Sequence, residues 1–113
     1  MNFNINKVKI IVTVPKENIE DVRKAMCNAG AGVIGNYTFC TIQTPSTGTF
    51  LPNNNANPYI GEQGKLEYVE ELKLEVICST QYVKSVISAL RKVHPYEEPA
   101  IDIIPLIDES DFF

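Results

Sequence analysis

The sequence predicts an α+β fold in which a four-stranded antiparallel sheet carries two helices on one face. Two observations support this prediction. The chain has two similar halves, related by a shift of 64 positions, and each half combines a period-two strand pattern with an apolar helical stripe. Right-handed crossovers leave few other arrangements of two such units, so we expect the order βαββαβ of a ferredoxin-like sandwich.

The first half opens with a strand in which Ile10, Val12 and Val14 are predicted to face the helices, because successive side chains of a strand point to opposite faces. Gly30 is predicted to end the helix that follows, and a second strand is expected over residues 33–44. The apolar stripe of this helix consists of Ile19, Val22, Ala25 and Met26.

The second half repeats the pattern with a long strand over residues 66–78, a helix, and a last strand over residues 100–107. Asp102 and Pro105 make an edge or inter-subunit position the best fit for the last strand, since proline cannot donate to a ladder. The inward residues of the long strand are Leu72, Leu74, Val76 and Cys78, and the helical stripe is Val83, Val86, Ala89 and Leu90.

Size and composition fit a single domain over residues 1–113. With 44% hydrophobic residues the chain can bury a single core that needs no disulfide bonds or bound metal for stability. A net charge of -4 argues against nucleic-acid binding, and no apolar run approaches the roughly 18 residues of a membrane span. Three cysteines without a CxxC pair, Cys27, Cys40 and Cys78, indicate reduced thiols and a cytoplasmic protein, with a redox or metal role as the alternative.

Two segments fall outside the regular pattern. The stretch over about 45–64 is rich in glycine, proline and asparagine, and a loop of that length is usually functional or disordered. Because Phe50, Tyr59 and Ile60 are apolar, we favour a partly ordered loop that packs on the body or on a neighbouring subunit, against a flexible insert. The acidic tail over about 108–113 is predicted to be frayed rather than docked.

The spacing of Gly30, Gly32 and Gly35 matches a dinucleotide fingerprint, but its context does not. The phosphate-binding motif follows a strand and opens a helix, whereas these glycines follow a helix and lead into a strand. No nucleotide cofactor, and no other cofactor, is predicted.

The segment from His94 to Pro99, HPYEEP, holds the only histidine and two acidic residues between two prolines. Each proline biases the residue before it toward extended geometry. In that geometry His94, Tyr96 and Glu98 share one face and Glu97 points away. This predicts a small polar recognition surface, and the candidate ligand-binding residues are His94, Tyr96, Glu97, Glu98, Phe50, Tyr59 and Gly61.

His94 has three alternative roles: a helix cap or interface hydrogen bond, which we favour, a ligand or metal contact, or general acid-base chemistry. Tyr96 is favoured as a packing residue with a polar tip. The weak metal candidates are His94 and Cys40, because a metal site needs three or four ligands and the sequence offers neither CxxC nor HxxxH spacing.

Several motifs together resemble the NIF-three (YqfO-type) family, and more narrowly a stand-alone version of the domain inserted in the middle of its longer members. They are GAGVIGNYTFC over 30–40, GTFLP over 48–52, NPYIGEQG over 57–64, Glu67, Glu70 with Glu71, and HPYEEP over 94–99. Ser46 departs from the pattern, where the family often has glycine. The resemblance implies a fold similar to the CutA and PII groups, which commonly form trimers, and CutA proteins share the motif of residues 94–97.

The two-metal site of the longer relatives lies in flanking domains, so the resemblance does not imply a cyclohydrolase activity here. We favour a non-catalytic oligomeric binding or regulatory module, whose loop and HPYEEP segment line clefts between subunits. The alternatives are a CutA-like divalent metal-binding protein and, less favoured, a small hydrolase. The expected partners are further copies of the chain, as a trimer before a dimer, and a small-molecule or metal-ion ligand.

Overall fold

The computed structural model describes residues 3–113 and contains the predicted order of elements. The strands form one antiparallel sheet in the order β2-β3-β1-β4, which confirms the ferredoxin-like plan. The elements are β1 (Lys7–Pro15), α1 (Ile19–Asn28), β2 (Thr41–Phe50), β3 (Glu67–Ser79), α2 (Val83–Val93) and β4 (Ile101–Leu106).

The internal repeat extends to details that the sequence pattern did not specify. A single turn of 3-10 helix joins β1 to α1 at Lys16–Asn18, and another joins β3 to α2 at Thr80–Tyr82, 64 positions further along. Each half is therefore a strand, a 3-10 turn, a helix and a second strand.

The hydrophobic core lies between the two helices and one face of the sheet. The predicted inward residues of β1 are fully buried, as are Leu74 and Val76 of β3, whereas Leu72 is only partly buried. The opposite face carries charged residues, among them Lys9 and Glu75, whose side chains form an ion pair at 3.9 Å. The core consists of Val8, Ile10, Val12, Val14, Ile19, Val22, Met26, Ala31, Leu74, Val76, Cys78, Val86 and Leu90.

Gly30 ends α1, as predicted. Its φ of 122° lies in the region that favours glycine. The amide of Gly30 donates to the carbonyl of Cys27, and the amide of Ala31 donates to the carbonyl of Met26. This pair of hydrogen bonds is a Schellman motif, which satisfies carbonyl groups at the end of the helix.

The predicted second strand over residues 33–44 is wrong in its position. β2 begins at Thr41, because the preceding residues turn back on themselves through mutual backbone hydrogen bonds between Ile34 and Tyr37. β2 then continues through Pro45 to Phe50, so the first six residues of the predicted loop over 45–64 belong to a strand. The connection between β2 and β3 is residues 51–66.

Edge positions explain why this stretch is a strand despite its composition. β2 is an outer strand and has β3 as its one neighbour in the sheet, where Pro45 pairs with Leu72. The amide hydrogen that proline lacks is therefore not needed to bond a second neighbouring strand. β4 is the other outer strand and contains Pro105, in agreement with the predicted edge position. Both proline-containing strands thus lie where an absent amide donor is tolerated.

The tail contains a short 3-10 helix at Glu109–Phe112. The side chain of Asp108 accepts a hydrogen bond from the amide of Ser110 at 3.2 Å. That the tail is frayed stays a prediction. Across residues 3–113, no helix has both the length and the apolar character that crossing a bilayer requires.

The three cysteines are free thiols. Burial raises the pKa of Cys27 and of Cys78, which favours the protonated thiol at both positions.

Candidate functional site

A cavity of about 410 Å³ lies between the end of β2, the loop of residues 51–66, and the segment that joins α2 to β4. We call this segment, residues 94–100, the corner. Both walls belong to the same chain, and the expectation that loop and corner line clefts between subunits stays a prediction. The side chains that line the cavity include Phe50, Leu51, Pro58, Tyr59, Ile60, Glu71, Tyr96, Glu97 and Glu98.

His94 holds the start of the corner against β1. It is 7% exposed, its Nε2 lies 2.8 Å from the carbonyl oxygen of Thr13, and its Nδ1 accepts a hydrogen bond from the amide of Tyr96 at 3.1 Å. Nδ1 is an acceptor and Nε2 faces an acceptor, so the ring is the neutral Nε2-H tautomer. Both ring nitrogens are engaged by backbone groups, an arrangement that fits the favoured structural role.

The environment of His94 stabilises its neutral form. Burial lowers the pKa of His94 below its ordinary value of 6.5, and the hydrogen bond to Thr13 and the negative charge of Glu71 only partly oppose this effect.

Tyr96 joins the corner to the long strand β3. Its hydroxyl donates to Glu71 Oε2 at 2.7 Å. Burial raises the pKa of Tyr96 well above its ordinary value, and the hydrogen bond to Glu71 and its negative charge raise it further. The Tyr96 ring lies between two others, 4.9 Å from that of His94 and 6.2 Å from that of Tyr59, so it also has the predicted packing role.

Glu71 is not among the predicted ligand-binding residues, although it belongs to the motifs that carry the family resemblance. It is 4% exposed, although alternation along β3 places it in line with the exposed charges of the open face. A Cβ on Gly48 would collide with Glu71 Oε1, so a larger residue at position 48 would displace this carboxyl group. A glutamate at a polar position of a strand carries no local signal of burial, because the groups that cover it come from distant parts of the chain.

Glu97 ties the loop to the corner. Its carboxyl oxygens accept the backbone amide hydrogen of Asn57 at 3.2 and 3.3 Å. The predicted extended geometry is wrong here, because residues 96–98 form a bend instead of a strand. Glu97 and Glu98 therefore both line the cavity, whereas strict alternation would direct Glu97 away from it.

Gly61, a predicted ligand-binding candidate, does not line the cavity. Its φ is 90°, and a Cβ there would collide with the side chain of Glu67 and lie 3.4 Å from the ring of Phe50. Gly61 therefore lies close against Glu67 and Phe50 outside the cavity, whereas Phe50 and Tyr59 line the cavity themselves.

Cys40 and His94 are not brought together. Cys40 lies near the Lys9 end of β1. Its amide donates to the Gly32 carbonyl, and the Gly32 amide donates to the carbonyl of Ile77, which pairs with Lys9. His94 instead contacts Thr13, four residues further along β1, which corresponds to about 13 Å. Within residues 3–113, no group of three histidine, cysteine or acidic side chains is placed to hold a metal ion.

The fold defines a CutA- and PII-like domain. The structure of the periplasmic divalent cation tolerance protein CutA from Archaeoglobus fulgidus matches 94% of this chain and 90% of its own, with a TM-score of 0.68 and 21% identity. GlnK from B. subtilis matches 89% of this chain and 85% of its own, with a TM-score of 0.61 and 16% identity. At these identities the similarity concerns the fold alone.

Sequences that are more similar to this chain belong to longer proteins. The GTP cyclohydrolase 1 type 2 homolog of Halalkalibacterium halodurans is 50% identical over 103 residues, which are 91% of this chain and 28% of that protein. The crystal structure of a Bacillus cereus protein related to NIF3 matches 95% of this chain and 27% of its own, with a TM-score of 0.80 and 42% identity. No family model matches the chain. The chain is homologous to a segment of NIF-three proteins, which confirms the predicted resemblance, and it spans just over a quarter of these relatives.

The lowered pKa of His94 predicts how stability depends on pH. Between 6.5, its value in the unfolded chain, and the lower folded-state value, the unfolded chain binds more protons than the folded one. The contribution of His94 is therefore fully present above 6.5 and is lost as the pH falls toward the folded-state pKa. The slope of this loss is at most about 1.4 kcal/mol per pH unit.

Urea unfolding at about pH 7.5 and about pH 5.5 measures this loss. His94 is the only histidine, so His94→Gln isolates its contribution. We expect the free energy of unfolding to fall less between the two pH values in the variant than in the native sequence. An equal fall in both proteins would contradict the neutral, buried imidazole.

Proposed function

We propose that this protein is a non-catalytic binding or regulatory module whose small-molecule ligand occupies the cavity between loop and corner. The observation that carries this proposal is the cavity itself, about 410 Å³ with mostly apolar walls and a few polar groups directed into it. That size and composition are typical of small-molecule sites.

The way in which the loop is held supports a binding role. Glu97 contacts the loop through the Asn57 amide, and the ring of Tyr59 lies beside that of Tyr96. Most other polar groups of the loop are exposed, so a few contacts hold it over the cavity. A loop held in this way can open to admit a ligand and close over it.

The state of the polar groups supports a non-catalytic role. The two nitrogens of His94 are occupied by Thr13 and by the Tyr96 amide, and the Tyr96 hydroxyl donates to Glu71. A general acid or base needs a pKa near the working pH, whereas the pKa of Tyr96 is raised far from it. The groups best suited to proton transfer are therefore used to build the corner.

A screen of chemically diverse small molecules against the ¹⁵N-labelled chain tests the binding role. We expect at least one compound to shift the amide signals of Gly48, Ala56 and Ala100, which line the cavity, and to leave that of Gly35 unchanged. Glu97→Ala removes the acceptor that holds the loop and should raise the Kd of such a compound by about 3- to 10-fold. Glu109→Ala, which changes an exposed residue of the tail, is the matched control.

A diverse library in which no compound shifts the cavity amides would contradict the binding role. Binding that shifts only amides remote from the cavity would contradict the proposed site.

We also propose that the chain forms a homo-oligomer, with a trimer favoured over a dimer. Support comes from the two outer strands of the sheet and from their apolar side chains, since Ile42, Ile103 and Ile104 are all exposed. Outer strands with exposed apolar residues are prone to pair with other chains. Light scattering should give three chain masses of 12.6 kDa each, independent of dilution in the micromolar range. A mass of one chain at all concentrations would contradict oligomerisation, and two chain masses would select the dimer.

A further inference from the structure

We infer that the ligand of the cavity is a small organic cation that carries a primary ammonium group on an alkyl chain. This inference rests on the proposed binding function and specifies the chemistry of its ligand. It follows from the charge, the hydrogen bonding and the shape of the cavity.

The charge of the cavity has one sign. Glu71, Glu97 and Glu98 line it, and no lysine, arginine or histidine is among its lining residues in the described part of the chain. A cleft lined by one sign of charge within low-dielectric walls concentrates ligands of the opposite charge. The cavity therefore selects for cations and against anions.

Glu71 provides a binding group at the buried side of the cavity. Its side chain lines the cavity although the residue is only 4% exposed. Oε2 accepts the hydroxyl of Tyr96, while Oε1, which lies beside Gly48, has no donor within residues 3–113 and is not enclosed by the chain. A carboxylate oxygen that has no donor from the chain can accept a hydrogen bond from an ammonium group, which also supplies the opposite charge.

Glu97 and Glu98 are exposed, in contrast to Glu71, so they provide acidic groups at the solvent side of the same cavity. The acidic residues thus lie along the cavity from its buried to its exposed side. This arrangement fits an extended cation, such as an aliphatic diamine, that has one ammonium group at Glu71 and a second near the entrance.

The remaining walls suit the alkyl part of such a ligand. Phe50, Tyr59 and Tyr96 contribute aromatic rings, with the two tyrosine rings 6.2 Å apart and inclined by 50°. Aromatic faces attract ammonium groups, and the attraction is stronger where water is excluded. Leu51, Pro58 and Ile60 add an aliphatic surface for methylene groups.

Three ligands of matched length test the inference: 1,5-diaminopentane, 1,5-pentanediol and glutarate, each titrated into the ¹⁵N-labelled chain. We expect the diamine to shift the amides of Gly48, Ala56 and Ala100. The neutral diol should bind at least about 10-fold more weakly, and the anionic glutarate should not bind. A lysine derivative blocked at both its amino and carboxyl ends separates two sources of the ligand, because it binds if a lysine side chain is accepted and fails if only free amines are.

Variants locate the cation. Glu71→Gln keeps an acceptor for the Tyr96 hydroxyl but removes the charge, so it should raise the Kd of the diamine by about 10- to 100-fold without unfolding the chain. Glu62→Gln changes an exposed loop residue that does not line the cavity and should leave the Kd within about 2-fold. Tyr59→Leu, which retains an apolar side chain, should raise the Kd by about 2- to 5-fold through the lost ring.

Equal binding of the diol and the diamine, or an unchanged Kd in a folded Glu71→Gln variant, would overturn the inference. So would zinc ions that shift the cavity amides when the diamine does not. If a neutral or anionic compound from the screen occupies the cavity and amines do not, the ligand class is wrong and the binding function stands. If no compound of any class shifts the cavity amides, both fail.

Discussion

The hydrogen bond between Tyr96 and Glu71 is the constraint on which the site depends. It joins the corner to a carboxyl group of β3 that is 4% exposed, and it does so next to the hydrogen bond between His94 and the Thr13 carbonyl. A buried acidic group is tolerated only when it is hydrogen-bonded, so the corner and the strand fix each other's position. The cavity exists because the chain passes from α2 to β4 through this fixed point.

The polar groups of the proposed site divide between those that support the corner and those that would contact a ligand. His94 and the Tyr96 hydroxyl serve the corner, and Glu97 holds the loop through the Asn57 amide. The other groups that line the cavity are Glu71 Oε1, the exposed side chain of Glu98 and a set of apolar side chains. In this division both ring nitrogens of His94 and the hydroxyl of Tyr96 are engaged by other groups of the chain.

The fold could be predicted because its signals are local and repeated. The periods of the strands and helices, and the glycine at the end of α1, act through neighbouring residues in the chain, and the repeat of 64 positions shows each signal twice. β2 was misplaced because an edge strand tolerates Pro45 and Gly48, which sequence rules treat as signs of a loop. The bend in the corner was missed because proline restricts the residue before it, not the path of the following three residues.

The site could be predicted only in part. The HPYEEP motif indicates the corner, but it does not indicate that Tyr96 of the corner bonds to Glu71 of β3. The burial of Glu71 results from Tyr96, which lies 25 positions further along the chain, and from the absence of a side chain on Gly48. No periodicity within β3 distinguishes this glutamate from the exposed charged residues near it. Contacts between distant segments determine which polar residues are structural and which are open to the proposed ligand.

The most direct test of this account is a double-mutant cycle on the stability of the chain, built from Tyr96→Phe, Glu71→Met and their combination. The account predicts that Tyr96→Phe destabilises the fold by about 1–3 kcal/mol, because it leaves a buried carboxyl group without its donor. It also predicts a coupling energy of at least about 1 kcal/mol between the two sites. Effects that add to within about 0.5 kcal/mol would contradict the claim that this hydrogen bond fixes the corner.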